Sequence, residues 1–205
     1  AQAAAQQAGL PAGMVQLIYR MPHADGERLV ADDRVGATGY TGSRHAGLAL
    51  KSAADATGKP IYLELSSVNP IVVLPGALEE RGADLAEEFT GSCLMGTGQF
   101  CTNPGLVILV DGEATRTFVE AVTQGFQDAP VGTLLSRSVQ TSLQSNVSIL
   151  LAAGAQLLAG NTSVDEDRCC FANTLLQIVH LAAVGVADSE QTTKISILFI
   201  FFFTN

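Results

Sequence analysis

At 205 residues and 47% hydrophobic content, the chain has enough apolar material for one large domain or parts of two, and it should be globular. Twenty acidic residues against 11 basic ones leave a formal charge of −9, which disfavours nucleic acid and anionic membrane surfaces and leaves a small molecule as the expected partner. Cys93, Cys101, Cys169 and Cys170 show no paired spacing and the three histidines form no zinc-type cluster, so no metal site is expected and a reducing, cytoplasmic setting fits.

In chain order, AQAAAQQ favours a helix that GLPAG ends, and neither carries the basic and apolar regions of a signal peptide. MVQLIY reads as a short strand, RMPHADGERLVADD as a polar connection, and RVGATGYTGS as a second strand opening into a glycine turn. SRHAGLALKSAADA follows as a helix with Ser43 as its N-cap. KPIYLELS and NPIVVLP are the next two strands, and residues 77–95 are mostly helical. LVILVDG is a continuous apolar run typical of a strand buried on both faces. EATRTFVEAVTQGFQ and SRSVQTSLQSNVSILLAAG are amphipathic helices, and AQLLAG and NTLLQI are strands. Strands alternating with helices predict a largely parallel α/β architecture without internal repeats.

The C-terminal run ISILFIFFF, Ile195 to Phe203, is apolar but far shorter than the roughly twenty residues that span a bilayer. DSEQTTK separates it from the preceding apolar stretch. It is expected to be an out-of-place tail whose apolar edge promotes aggregation, the other reading being an unpaired buried strand.

Three segments carry chemistry. In GYTGSRHAG, a glycine turn at Gly42 followed by Ser43 at a helix start is either a plain structural turn or a seat for a pyrophosphate, since free N–H groups and a positive dipole end face the turn. Glu64 in IYLELSS is either a half-buried carboxylate with a raised pKa, suited to general-base work, or a solvated residue on the alternate strand face. Cys101 in GTGQFCTNPG stands among Gly96, Gly98, Gly105, Asn103 and Pro104, where the backbone turns sharply and can approach a ligand; it is either a small apolar filler or a nucleophilic thiol. Cys93 is expected to pack inside a helix, and His23, His45 and His180 to be structural.

Taken in this order, YTGSRHAG, LELSSVNP and GTGQFCTNPG resemble the aldehyde dehydrogenase superfamily, and ELSSVNP with FTGSCLMGTGQFCTNPG is most similar to its alpha-ketoglutarate semialdehyde (2,5-dioxovalerate) dehydrogenase branch. The resemblance covers residues 1 to about 178. It implies an α/β fold in which residues 1–65 end a Rossmann-like NAD(P)-binding domain, 66–178 begin the catalytic domain, and 179–205 form a divergent tail. It further implies that Cys101 attacks the aldehyde, that Glu64 activates the hydrolytic water, and that Thr41, Gly42, Ser43, Gly47 and Leu65 contact NADP or NAD, with Gly47 letting the helix approach closely. The implied partner is a small aldehyde, with no nucleic acid or membrane, and the family commonly forms homo-oligomers.

Against the family's length the chain is expected to be a piece lacking the early cofactor-domain strands, the oxyanion-hole asparagine, the ribose-gripping lysine and the E-x-F-G-P segment. Such a piece is expected to fold poorly and oxidise aldehydes slowly or not at all. The competing readings are a cofactor-free esterase or thioesterase using Cys101 and Glu64, and an inactive truncated product.

Overall fold

The computed structural model describes residues 1–19, 21–165, 168–183 and 192–201, without the side chains of 180–183 and 192–201. It divides into two units, residues 1–65 and 66–205.

In the first unit, α1 (Gln2–Gln7) and α2 (His23–Ala31) precede a β–α–β element made of β1 (Thr38–Gly42), α3 (Arg44–Ala56) and β2 (Ile61–Leu65). The strands pair in parallel, Thr38 opposite Ile61 through Gly42 opposite Leu65. Side chains alternate between a half-buried face and an exposed one along both strands. The strand expected at MVQLIY does not form. Leu17 and Tyr19 are 89% and 91% exposed, and without a neighbouring strand among the described residues the backbone here bonds to water and forms no ladder. The connection after it holds α2, whose single buried residue, Val30, leaves too thin an apolar stripe to announce a helix.

The second unit is built on β3 (Pro70–Val73), α4 (Pro75–Leu94), a short 3-10 turn (Met95–Gly98), β4 (Leu106–Val110), α5 (Glu113–Asp128), α6 (Arg137–Ala152) and β5 (Gln156–Ala159). The short pair β6 (Ser163–Asp165) and β7 (Cys170–Phe171) and the long strands β8 (Thr174–Ala183) and β9 (Thr192–Phe201) complete it. One five-stranded sheet runs in the order β3-β4-β9-β8-β5. Apolar residues at helical spacing explain the covering layers: Ala86, Phe89 and Cys93 of α4 and Phe118, Val122 and Phe126 of α5 form one buried cluster with Val107 and Leu109 of β4 and Leu175 of β8. Leu176 belongs instead to a second cluster with Val139, Leu143 and Val147 of α6. Adjacent strand residues point to opposite faces, so Leu175 and Leu176 put helices on both sides of the sheet. In β4 one face is fully buried and the other half-buried, against the expectation of burial on both.

Two expectations are corrected. The sheet is not largely parallel: only β3 with β4 pairs that way, whereas β9 pairs antiparallel with both β4 and β8, and β5 antiparallel with β8. Eight residues lie between β8 and β9, fewer than the dozen or so a parallel crossover requires. The apolar run expected as an out-of-place tail lies largely in β9, in the middle of the sheet. Its separator DSEQ and residues 202–205 lie outside the described residues.

Deleting residues 192–205 should therefore expose the edges of β4 and β8 and cost the chain its cooperative thermal unfolding and much of its soluble yield. Circular dichroism melting and size-exclusion chromatography check this; an unchanged melt and elution profile would contradict the placement of β9.

Candidate active site

Parallel pairing in the first unit gathers Thr41, Gly42, Ser43, Gly47, Leu65 and Glu64 at the carboxyl ends of two strands, where open α/β sheets bind ligands. Ser43 caps α3, its Oγ accepting from the Ala46 N–H at 3.2 Å. The first turn of α3 holds Arg44 and His45 and no acidic residue, so its unpaired amides and dipole face an anion unopposed. A Cβ on Gly42 would stand 2.5 Å from the Tyr40 hydroxyl, and one on Gly47 would overlap a Leu65 methyl and press on the Tyr40 ring. Glycine at these two positions keeps the turn open and seats α3 on the sheet.

Glu64 stands opposite Thr41 on the exposed face of β2. Of the two readings of Glu64, the structure has the solvated alternate face and not the half-buried carboxylate. The cause is the period of two, which turns Ile61, Leu63 and Leu65 inward and Tyr62 and Glu64 outward.

Cys101 belongs to the second unit, is exposed, and lies on the connection between the 3-10 turn and β4. Three residues absent from the candidates read in the sequence hold that connection. The Ser67 hydroxyl and the Asn69 Nδ2 both donate to the Cys101 carbonyl, at 3.0 and 2.8 Å, and Asn69 Nδ2 also donates to the Asn103 carbonyl at 2.9 Å. Asn103 Nδ2 in turn donates to the Cys93 carbonyl at 2.6 Å, while its Oδ1 is buried without a hydrogen-bond partner. The geometry follows from register: β3 and β4 pair in parallel from Pro70 opposite Leu106, which sets residues 67–69 beside 101–105. The Gly105 N–H extends the contact to the Val68 carbonyl at 2.8 Å, and a Cβ at Gly105 would lie 2.7 Å from that oxygen.

The approach to Cys101 is left-handed over three residues, Gly96, Thr97 and Gly98, at φ 59°, 60° and 69°. Threonine is disfavoured there. Its side chain fits where Gly132 has no Cβ, and Gln99 ties the same segment by donating to the Thr133 carbonyl at 3.1 Å and accepting from the Leu135 N–H at 2.8 Å. Two Asn-Pro dipeptides, Asn69-Pro70 and Asn103-Pro104, are turn signals that could have marked the clamp in the sequence.

Cys93 packs in α4 as expected, fully buried, with its thiol directed at the Pro104 carbonyl at 3.8 Å. Burial pushes that thiol up from 9.0 to about 12, so it stays protonated and inert. Cys170 is buried and Cys169 half-buried, which leaves Cys101 as the exposed thiol. His23 and His45 are exposed, and the His180 side chain lies outside the described residues. Among the described residues no cluster could hold a metal ion, and no helix is long and apolar enough to cross a membrane.

The model of the aldehyde dehydrogenase family matches residues 1–184. The alpha-ketoglutaric semialdehyde dehydrogenase 2 of Azospirillum brasilense is 41% identical over 140 residues, 67% of this chain and 27% of that protein. The alpha-ketoglutaric semialdehyde dehydrogenase of Acinetobacter baylyi is 37% identical over 145 residues, 70% of this chain and 27% of its own length. The chain thus spans about a quarter of the length of these relatives. The fold is like that of succinic semialdehyde dehydrogenase from Streptococcus pyogenes, solved with NADP+, with a TM-score of 0.70, 22% identity, and coverage of 82% of this chain and 38% of that one.

Two outcomes follow from the packing around Cys101. Gly105→Ala should lose about 1–3 kcal/mol in denaturant unfolding, because its Cβ meets backbone. Gly82→Ala, where a Cβ meets nothing within 4 Å, is the control, and equal midpoints would contradict the close approach at Val68. Separately, the raised Cys93 pKa contributes stability that is whole below pH 9.0 and is lost as pH rises toward 12. Unfolding of Cys93→Ala should show a shallower decline over that window, and parallel wild-type and variant slopes would contradict it.

Proposed function

We infer the function from one premise: the chain belongs to the aldehyde dehydrogenase family. We propose that Cys101 is the nucleophile for an aldehyde, Glu64 the base for the hydrolytic water, and Thr41, Gly42, Ser43, Gly47 and Leu65 the contacts for NAD or NADP. The proposed substrate is alpha-ketoglutaric semialdehyde, oxidised to 2-oxoglutarate, as the names of the two curated relatives suggest. The observation that carries this reading is that Cys101, alone among four cysteines, is exposed, and that side-chain hydrogen bonds hold its carbonyl.

The first unit's turn fits a dinucleotide: Gly42 and Gly47 are positions a Cβ would fill, and α3 offers amides, Arg44 and a capping serine to a pyrophosphate. When bound, the nicotinamide supplies the acceptor for the hydride that leaves the aldehyde carbon.

The remaining chemistry belongs to this chain. The Cys101 thiolate adds to the carbonyl carbon, forming the C–S bond and moving the π pair to oxygen, where the Cys101 backbone N–H donates to the oxyanion. Loss of hydride leaves a thioester on Cys101. Glu64 then takes a proton from water as its oxygen attacks the thioester carbon, and collapse expels the Cys101 thiolate with the carboxylic acid as product. An exposed Glu64 is open to water.

The test has two parts: reduced nucleotide formed from the semialdehyde with NAD+ or NADP+, and acetylation of Cys101 by p-nitrophenyl acetate without cofactor. From wild type, acetylation with only slow formation of reduced nucleotide is expected; Cys101→Ala should lose both on the order of a thousandfold or more, and Glu64→Gln should acetylate but deacylate about a hundredfold more slowly. Acetylation without any reduced nucleotide would favour the cofactor-free acyl-transfer reading. Equal rates in wild type and Cys101→Ala would overturn both.

A further inference from the structure

We propose that Asn69 is a positioning residue for Cys101: its carboxamide fixes the carbonyls of Cys101 and Asn103 and thereby sets the relation between the Cys101 sulfur and the Cys101 backbone N–H. The proposal rests on the nucleophile reading above and deepens it.

Three observations converge. Asn69 Nδ2 has two N–H donors, and both are used on the same loop, at 2.8 Å to the Cys101 carbonyl and 2.9 Å to the Asn103 carbonyl. Ser67 adds a second donor to the Cys101 oxygen at 3.0 Å. Asn69 is also held at φ 48°, in the left-handed region, although it precedes Pro70, a place where helical conformations of either hand are crowded. A sparsely populated backbone at one end of a clamp persists only where its surroundings over-determine it.

The consequence is local. Fixing the Cys101 carbonyl fixes the rotation about its Cα–C bond, and fixing the Asn103 carbonyl, together with the Asn103 N–H donated to Phe100 at 3.1 Å, fixes the turn that follows. A loop so held keeps sulfur and backbone N–H in one arrangement, which addition to a carbonyl requires and simple alkylation does not.

That difference gives the experiment. Acetylation of Cys101 by p-nitrophenyl acetate and its alkylation by iodoacetamide are followed by peptide mass spectrometry in wild type, Asn69→Gly and Asn69→Asp, with melting curves for each. Glycine preserves the left-handed backbone and removes the donors; aspartate preserves the shape and puts an acceptor oxygen where both N–H donors were, facing two carbonyls. The expected result is a fall in acetylation of about tenfold in both variants, with alkylation changed less than about twofold. Hydrogen exchange at the Asn103 amide should quicken in both. An unchanged ratio of acetylation to alkylation in Asn69→Gly would overturn the proposal. Unchanged Asn103 exchange would overturn it even if wild-type Cys101 proves unreactive to the ester, a result that by itself would defeat the nucleophile reading instead.

Discussion

The arrangement around the thiol depends on the parallel pairing of β3 with β4. Because Pro70 is registered with Leu106, the residues entering the two strands run side by side, and Ser67 and Asn69 come within hydrogen-bond distance of the Cys101 carbonyl. Shifting the register by one residue would turn Asn69 away and break the Gly105–Val68 bond with it. Burial stabilises that register: Val107 and Leu109 of β4 are fully enclosed by Phe89 and Cys93 of α4 and Phe118 and Val122 of α5. Each such side chain is worth about 1.5–3 kcal/mol of transfer free energy, more than a net hydrogen bond of the clamp. The core thus sets the strands, and the hydrogen bonds set the loop that the strands bring into reach.

The two cysteines near this junction show how environment divides one chemistry into two roles. Cys93, eight residues before Cys101, is sealed in α4 with its thiol held protonated by burial, and it serves the loop only through its carbonyl, which Asn103 holds. Cys101 is exposed, and side chains from a neighbouring strand entry hold its carbonyl. The left-handed run Gly96–Gly98 follows the end of α4 at Leu94 and separates the buried cysteine from the exposed one.

Much of this was legible in the chain. Ser43 as an N-cap, the helix after it and the strands around Glu64 and at LVILV follow from capping chemistry and apolar period, and they stand where those signals put them. Cys101 was legible because glycine and proline crowd it; Ser67, Asn69 and Asn103 were not, because a clamp between residues 34 apart has no local period, although both asparagines precede prolines. MVQLIY has the composition of a strand but finds no partner, and the Phe-rich run has the composition of a tail but finds two. Pairing is decided by the whole sheet, which composition alone does not contain.

What we propose for the chemistry is that the Cys101 thiol and the Glu64 carboxylate serve one electrophilic carbon. The most direct measurement is a crystal structure of the protein acylated at Cys101. The expected result is a Glu64 oxygen within one bridging water of the thioester carbon, with Asn69 still bonded to the Cys101 carbonyl. A carboxylate beyond the reach of any such water, with acylation intact, would contradict it.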